Sequence, residues 1–141
     1  MRKPIIVEQR FNTSTETLWK AITEHQQMIQ WYFENIPDFK PEVGFTTQFL
    51  IENEGRQFTH LWKIVEVIPN KKITYTWQYK EYEGESIAVF EILEHKHQSI
   101  LRITCEGLET LPQDIPEFTR QSCQGGWDYF IKQRLKDYLV E

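Results

Sequence analysis

From Gly44 onward, apolar and polar residues alternate with a period of two, the pattern of strands buried on one face. Phe45, Thr47, Phe49 and Ile51 fall on one side, and Thr46, Gln48 and Leu50 on the other. Turn residues at Asn53-Glu54-Gly55-Arg56 precede a strand over 58–68, and Pro69-Asn70-Lys71-Lys72 turns the chain again. Ile73, Tyr75, Trp77 and Tyr79 then share a face opposite Thr74, Thr76 and Gln78. A third turn at Tyr82-Glu83-Gly84-Glu85 leads to strands over 87–93 and 100–105, joined at His95-Lys96-His97-Gln98. Connections this short require an antiparallel meander, because parallel neighbours need long crossovers.

Upstream, the β-branched run Ile5-Ile6-Val7 leading to Phe11 reads as a further strand. Thr13 and Glu16 have capping-box spacing, and Leu18, Trp19 and Ile22 continue as a helix over 14–23. Met28 and Trp31, three apart, mark a second short helix over 25–31. A DNA-reading helix pair would carry basic residues on its second helix. This one carries Gln26, Gln27 and Gln30, which excludes that role. Pro37 and Pro41 make 35–43 a loop, and a second Pro-containing connection follows Gly107.

The chain closes on a helical stripe of Trp127, Phe130, Ile131, Leu135, Tyr138 and Leu139. Gly125 and Gly126 interrupt it at a cost of up to about 1 kcal/mol each. Either the helix starts near Ser122 with the glycines in its first turn, or they let it pass closely over the sheet. The predicted fold is a single α+β domain over 1–141. In it a curved antiparallel sheet of about six strands wraps a long C-terminal helix, with two short helices after the first strand. The long helix is the element able to cover the sheet's apolar face. An apolar cavity is expected between them.

Composition sharpens this picture at three points. Nine Phe, six Tyr and five Trp make 14 % of the 141 residues, a surplus that suits a ligand cavity as well as a tight core. A net charge of −5 without a basic block argues against nucleic acid as a partner. No apolar run has the length of a membrane span, and the N-terminal apolar stretch after Met1-Arg2-Lys3 is too short for a secretory leader. A cytoplasmic location is the expectation.

Candidate chemistry is sparse. Cys105 and Cys123 lie far apart without a CxxC, so no zinc or redox motif is present. Cys123, beside a predicted helix start, could have a lowered thiol pKa or be a small buried residue. His95 and His97 could begin a metal site, but they fall in a polar turn without a carboxylate pattern. Neither a metal nor a cofactor is expected. His60, Tyr75 and Cys123 are the polar candidates for the cavity, and no motif names a catalytic residue.

Thr17-Leu18-Trp19-Lys20-Ala21-Ile22-Thr23, leading into Gln30-Trp31-Tyr32-Phe33, resembles the first-helix signature of the START-like (SRPBCC), helix-grip superfamily. Ile64-Val65-Glu66-Val67-Ile68-Pro69, Ile73-Thr74-Tyr75-Thr76-Trp77 and Gly126-Trp127 with Leu135 are similar to its branch named for the activator of the heat-shock-protein-90 ATPase. Two departures, Thr13-Ser14 for Ala-Pro and Glu24-His25-Gln26 for Asp-Pro-Glu, alter caps rather than the fold. The resemblance implies a helix-grip fold, with hydrophobic-ligand (including lipid) binding in many relatives, catalysis in a few, and a chaperone co-factor role in the namesake. The primary expectation is therefore binding of a small apolar or amphipathic molecule by a monomer or weak dimer. The alternatives are a module docking on a heat-shock-protein-90 homologue, in keeping with a stress-response role, and a cyclase- or hydrolase-like enzyme. The residues expected to line the cavity are Trp31, Phe33, Phe45, Phe49, Trp62, Tyr75, Trp77 and Phe90, with Trp127 and Phe130 from the helix. Ala88 is expected to be a small inward position beside it.

Overall fold

The computed structural model of the chain describes residues 3–139. Met1 and Arg2, where the segment weighed as a leader begins, lie outside the described residues, as do Val140 and Glu141. Strand β1 (Ile5–Phe11) is followed by α1 (Thr15–Thr23) and α2 (His25–Trp31). The meander then runs through β2 (Thr46–Asn53), β3 (Arg56–Ile68), β4 (Lys72–Tyr79), β5 (Tyr82–His95) and β6 (Gln98–Glu106). All six strands form one antiparallel sheet in the order β1-β6-β5-β4-β3-β2. β1 lies against the last strand because Ile5 pairs with Cys105 and Phe11 with Ser99. This is the α+β architecture that the alternation and element order predict, and the helix-grip fold that the resemblance implies.

Alternation decides which side chains enter the core. Phe58, His60, Trp62 and Ile64 of β3 point inward, as do Ile73, Tyr75 and Trp77 of β4. A bulge between Ile64 and Glu66 then shifts the register, so that Val65 is left exposed. The short helices close one end of the sheet. Trp31 is fully buried and donates its Nε1–H to the Ala21 carbonyl at 2.8 Å, which ties α2 to α1.

Three local expectations are corrected. The cap of α1 is Ser14, whose Oγ accepts from Thr17 N at 3.1 Å, and not Thr13. Thr13 is held elsewhere, its carbonyl accepting from Ser99 Oγ at 2.9 Å. The third turn lies at Lys80-Glu81 rather than 82–85, since Tyr79 already pairs with Tyr82. Glu81 anchors that turn to β3 by accepting from Thr59 N and Oγ1 at 2.7 and 2.5 Å. The strand runs on through Gly84 at φ +112°, where a Cβ would lie 2.4 Å from the Thr110 carbonyl oxygen.

The third correction concerns the long helix. It begins as α3 (Arg120–Asp128) after short 3-10 turns at Leu108–Thr110 and Pro116–Phe118. Its cap is Thr119, whose Oγ1 accepts from Ser122 N. Tyr129–Leu135 is π-helical, and a final turn spans Lys136–Tyr138. The wider turns align residues four apart, so Trp127, Ile131 and Leu135 are buried while Tyr138 is exposed. Gly125 and Gly126 lie past the first turn, and a Cβ on either would meet nothing within 4 Å. Neither explanation offered for them holds.

Candidate functional site

A cavity of about 190 Å³ opens between the inner face of the sheet and the C-terminal helix. His60 on β3, Trp77 and Tyr79 on β4, Ser86 on β5 and Cys105 on β6 form its floor. Ser122, Cys123, Gly126, Trp127 and Phe130 form its roof. Phe33, following α2, and Leu108 and Glu117, in the two connecting turns, close its sides. The space exists because short side chains oppose short side chains. Ser86 and Cys105 below and Cys123 and the missing side chain of Gly126 above line it together, beside the large rings of Trp77 and Trp127, which meet edge-on at 5.6 Å. Gly126 thus has a role that helix propensity opposes: it leaves the roof open.

The polar groups in this apolar room are each committed in a definable way. His60 packs flat on Phe49 at 4.8 Å and edge-on to Tyr79 at 4.9 Å. Its Nδ1–H donates to the Phe58 carbonyl at 3.0 Å. Burial lowers its pKa to about 4, so the ring is neutral at pH 7 and Nε2 is a lone-pair acceptor. The Tyr79 hydroxyl accepts from Trp77 Nε1 at 2.8 Å, and burial pushes its ionisation well above the usual phenol range. Ser86 Oγ donates to the Trp77 carbonyl at 3.2 Å.

Both thiols are held protonated at neutral pH. Burial pushes Cys105 up to about 12 and Cys123 up to about 11. The lowered pKa considered for Cys123 is overturned, because desolvation outweighs its place near the helix start. At the rim, Glu117 accepts from Arg56 Nε and Nη2 at 2.8 Å each, and from Asn53 Nδ2 at 2.6 Å. The Arg56 bond holds the Glu117 carboxyl down to about 2, and the pair ties the β2–β3 hairpin to the turn beneath the helix.

Of the ten residues expected at the cavity, Phe33, Trp77, Trp127 and Phe130 line it. Phe49 and Trp62 stand one layer behind, against His60 and Phe33 respectively. Tyr75 lies deeper, its hydroxyl paired with that of Tyr32 at 3.1 Å. Trp31 stacks on Tyr32 at 4.6 Å, Phe90 meets Trp127 at 5.7 Å, and Phe45 packs on Phe39 at 6.0 Å. Five of these six are buried in the core and the half-buried Phe45 packs against it, which is a correction to the expected lining. The surplus of rings consumes space, and the cavity survives where side chains are small. Ala88 is fully buried beside Tyr75 and Cys105 in the sheet and does not border it. Of the three polar candidates His60 and Cys123 face the cavity and Tyr75 does not. Tyr79, Ser86, Cys105, Leu108, Glu117, Ser122 and Gly126 went unnamed at this site. The helical glycine pair was the one readable signal among them.

His95 and His97 are exposed in the β5–β6 turn. Among the described residues, no group of three His, Cys, Asp or Glu side chains is placed to hold a metal ion. No helix there is long and apolar enough to cross a membrane.

A curved antiparallel sheet gripping a long helix over an aromatic cavity defines the START-like, helix-grip class. Residues 12–140 match the family described as activator of Hsp90 ATPase homolog 1-like protein, and the chain belongs to that family. Among solved structures it is similar to protein CV1439 from Chromobacterium violaceum, at TM-score 0.79 and 19 % identity over 100 % of both chains. Protein MLL2253 from Mesorhizobium loti superposes at TM-score 0.74 with 25 % identity, covering 97 % of this chain and 96 % of that one. The Aha1 dimer from Colwellia psychrerythraea follows at 0.75 and 22 %, covering 98 % and 96 %. No curated protein shows a significant match.

Proposed function

We propose that this protein binds a small apolar or amphipathic molecule, without covalent chemistry, in the cavity under the C-terminal helix. The observation that carries this reading is Gly126, whose missing side chain keeps the roof open at a helix position where glycine costs up to about 1 kcal/mol. A pure core would be expected to fill that position. Catalysis draws less support. Both cavity thiols are protonated at neutral pH, and His60 receives no carboxylate bond among the described residues. The test is a fluorescence titration with apolar probes, read beside native mass spectrometry of the purified protein. A saturable change that is lost in Gly126→Leu supports the reading; a bare chain and no saturable change overturn it.

A second reading follows from the family. Membership and likeness to the Colwellia Aha1 dimer support docking on a heat-shock-protein-90 homologue, or self-association, through an outer surface. Retention of the protein on an immobilised homologue, unaffected by Gly126→Leu, would favour that reading over cavity binding.

A further inference from the structure

We propose that the molecule held in this cavity is a neutral single-ring compound bearing one hydroxyl, a phenol or cyclic alcohol, which donates to His60 Nε2 and accepts from the Tyr79 O–H. The proposal rests on the cavity-binding reading and names the chemistry of its ligand. Size sets the first limit. An apolar cavity of about 150 Å³ is filled by benzene, so about 190 Å³ holds one ring with one or two small substituents. A long acyl chain is larger than this volume and would extend beyond it.

Hydrogen-bond capacity sets the second limit. His60 lines the cavity and uses its Nδ1–H on the Phe58 carbonyl, which leaves its Nε2 free to accept. The Tyr79 hydroxyl receives the Trp77 N–H, and no group among the described residues receives its own proton. The two rings meet edge-on with centroids 4.9 Å apart, so the ring with a spare acceptor and the ring with a spare donor are neighbours in the lining. A ligand hydroxyl is the group that satisfies both at once. Charge sets the third. Glu117 is the sole charged residue in the lining, and the guanidinium nearest to it, Arg56, is already engaged by it. A carboxylate ligand would be buried without a cation, which is costly.

The test is calorimetric titration of the full chain at pH 7 with p-cresol, toluene, 4-methylbenzoate and dodecanoate, repeated on His60→Phe, Tyr79→Phe and Gly126→Leu. The expected result is saturable p-cresol binding with a preference over toluene that shrinks about tenfold in His60→Phe, the value of one hydrogen bond. Gly126→Leu should abolish binding of both. Should His60→Phe fail to fold, the imidazole nitrogen NMR signals of the unaltered protein decide. Nε2, and not Nδ1, must shift on adding p-cresol. An unchanged preference, an unmoved Nε2 signal, or tighter binding of 4-methylbenzoate or dodecanoate overturns the hydroxyl assignment while leaving cavity binding intact. Binding that persists in Gly126→Leu overturns the location. No binding of any of the four overturns the hydroxyl assignment and the cavity-binding reading together.

Discussion

His60 sits where neither water nor a carboxylate supports its charged form, and this links the site to stability. The ring takes up its proton at about pH 4 in the folded chain against about 6.5 when unfolded. Between these values the unfolded chain binds more protons, so stability falls as pH drops through the window and is fully present above it. The loss should approach about 3 kcal/mol by pH 4. The titratable neighbours are Tyr79, which stays neutral, and Glu81, whose charge weakly favours the proton. Glu117 acts in a separate, lower window, between about 4.5 and 2, so urea denaturation between pH 7 and 5 isolates the imidazole. His60→Phe should flatten that slope; an equally steep slope in the variant would refute the assignment. Trp127 is buried against Trp77 at 5.6 Å and Phe90 at 5.7 Å. Trp127→Ala should cost about 3–5 kcal/mol by denaturation, and a loss under about 1 kcal/mol would mean the helix does not dock as described.

At the level of elements, the two kinds of glycine in this chain predict opposite outcomes. Gly84 combines φ +112° with a Cβ position 2.4 Å from backbone, so Gly84→Ala should destabilise by about 1–3 kcal/mol and loosen the β5 start from the Leu108–Thr110 turn. Gly126 has helical backbone and open space, so Gly126→Leu should hold or raise the melting temperature, gaining about 0.5–1 kcal/mol of helix propensity, while closing the cavity. A fall in melting temperature would show that the roof has no room. The same helix shows why its stripe was only partly legible. A 3.6-residue period groups Tyr138 with Trp127, whereas the π-helical stretch rephases the face and leaves Tyr138 to donate to Gln27 Oε1 at 3.2 Å.

For the whole molecule, a ligand that occupies only the folded cavity must stabilise the fold by mass action, by about 2.7 kcal/mol at one hundred times its dissociation constant. Thermal melts against rising p-cresol should therefore climb with concentration in the natural chain and stay flat in Gly126→Leu. A shift common to both would signal binding outside the cavity. Most of the fold was legible in the sequence, because a period of two with short turns permits only an antiparallel meander, and Phe49, Trp62, Tyr75 and Trp77 all face inward as their alternation requires. The site was legible in part. Alternation tells which side of a strand is buried, but not whether the space above a buried residue is filled. That depends on which rings from α2, the loop after it and the helix reach the same volume, a sum over distant segments that no local pattern carries. Trp31, Tyr75 and Phe90 went into the packed half of the interior, while Ser86, Cys105, Cys123 and Gly126 came together and left a void. The sequence by itself determined the strands, the gripping helix and the family, since these rest on periodicity and order along the chain. Only the tertiary structure decided where the cavity lies and that His60 and Tyr79 share its wall, because a void is defined by the side chains that fail to meet.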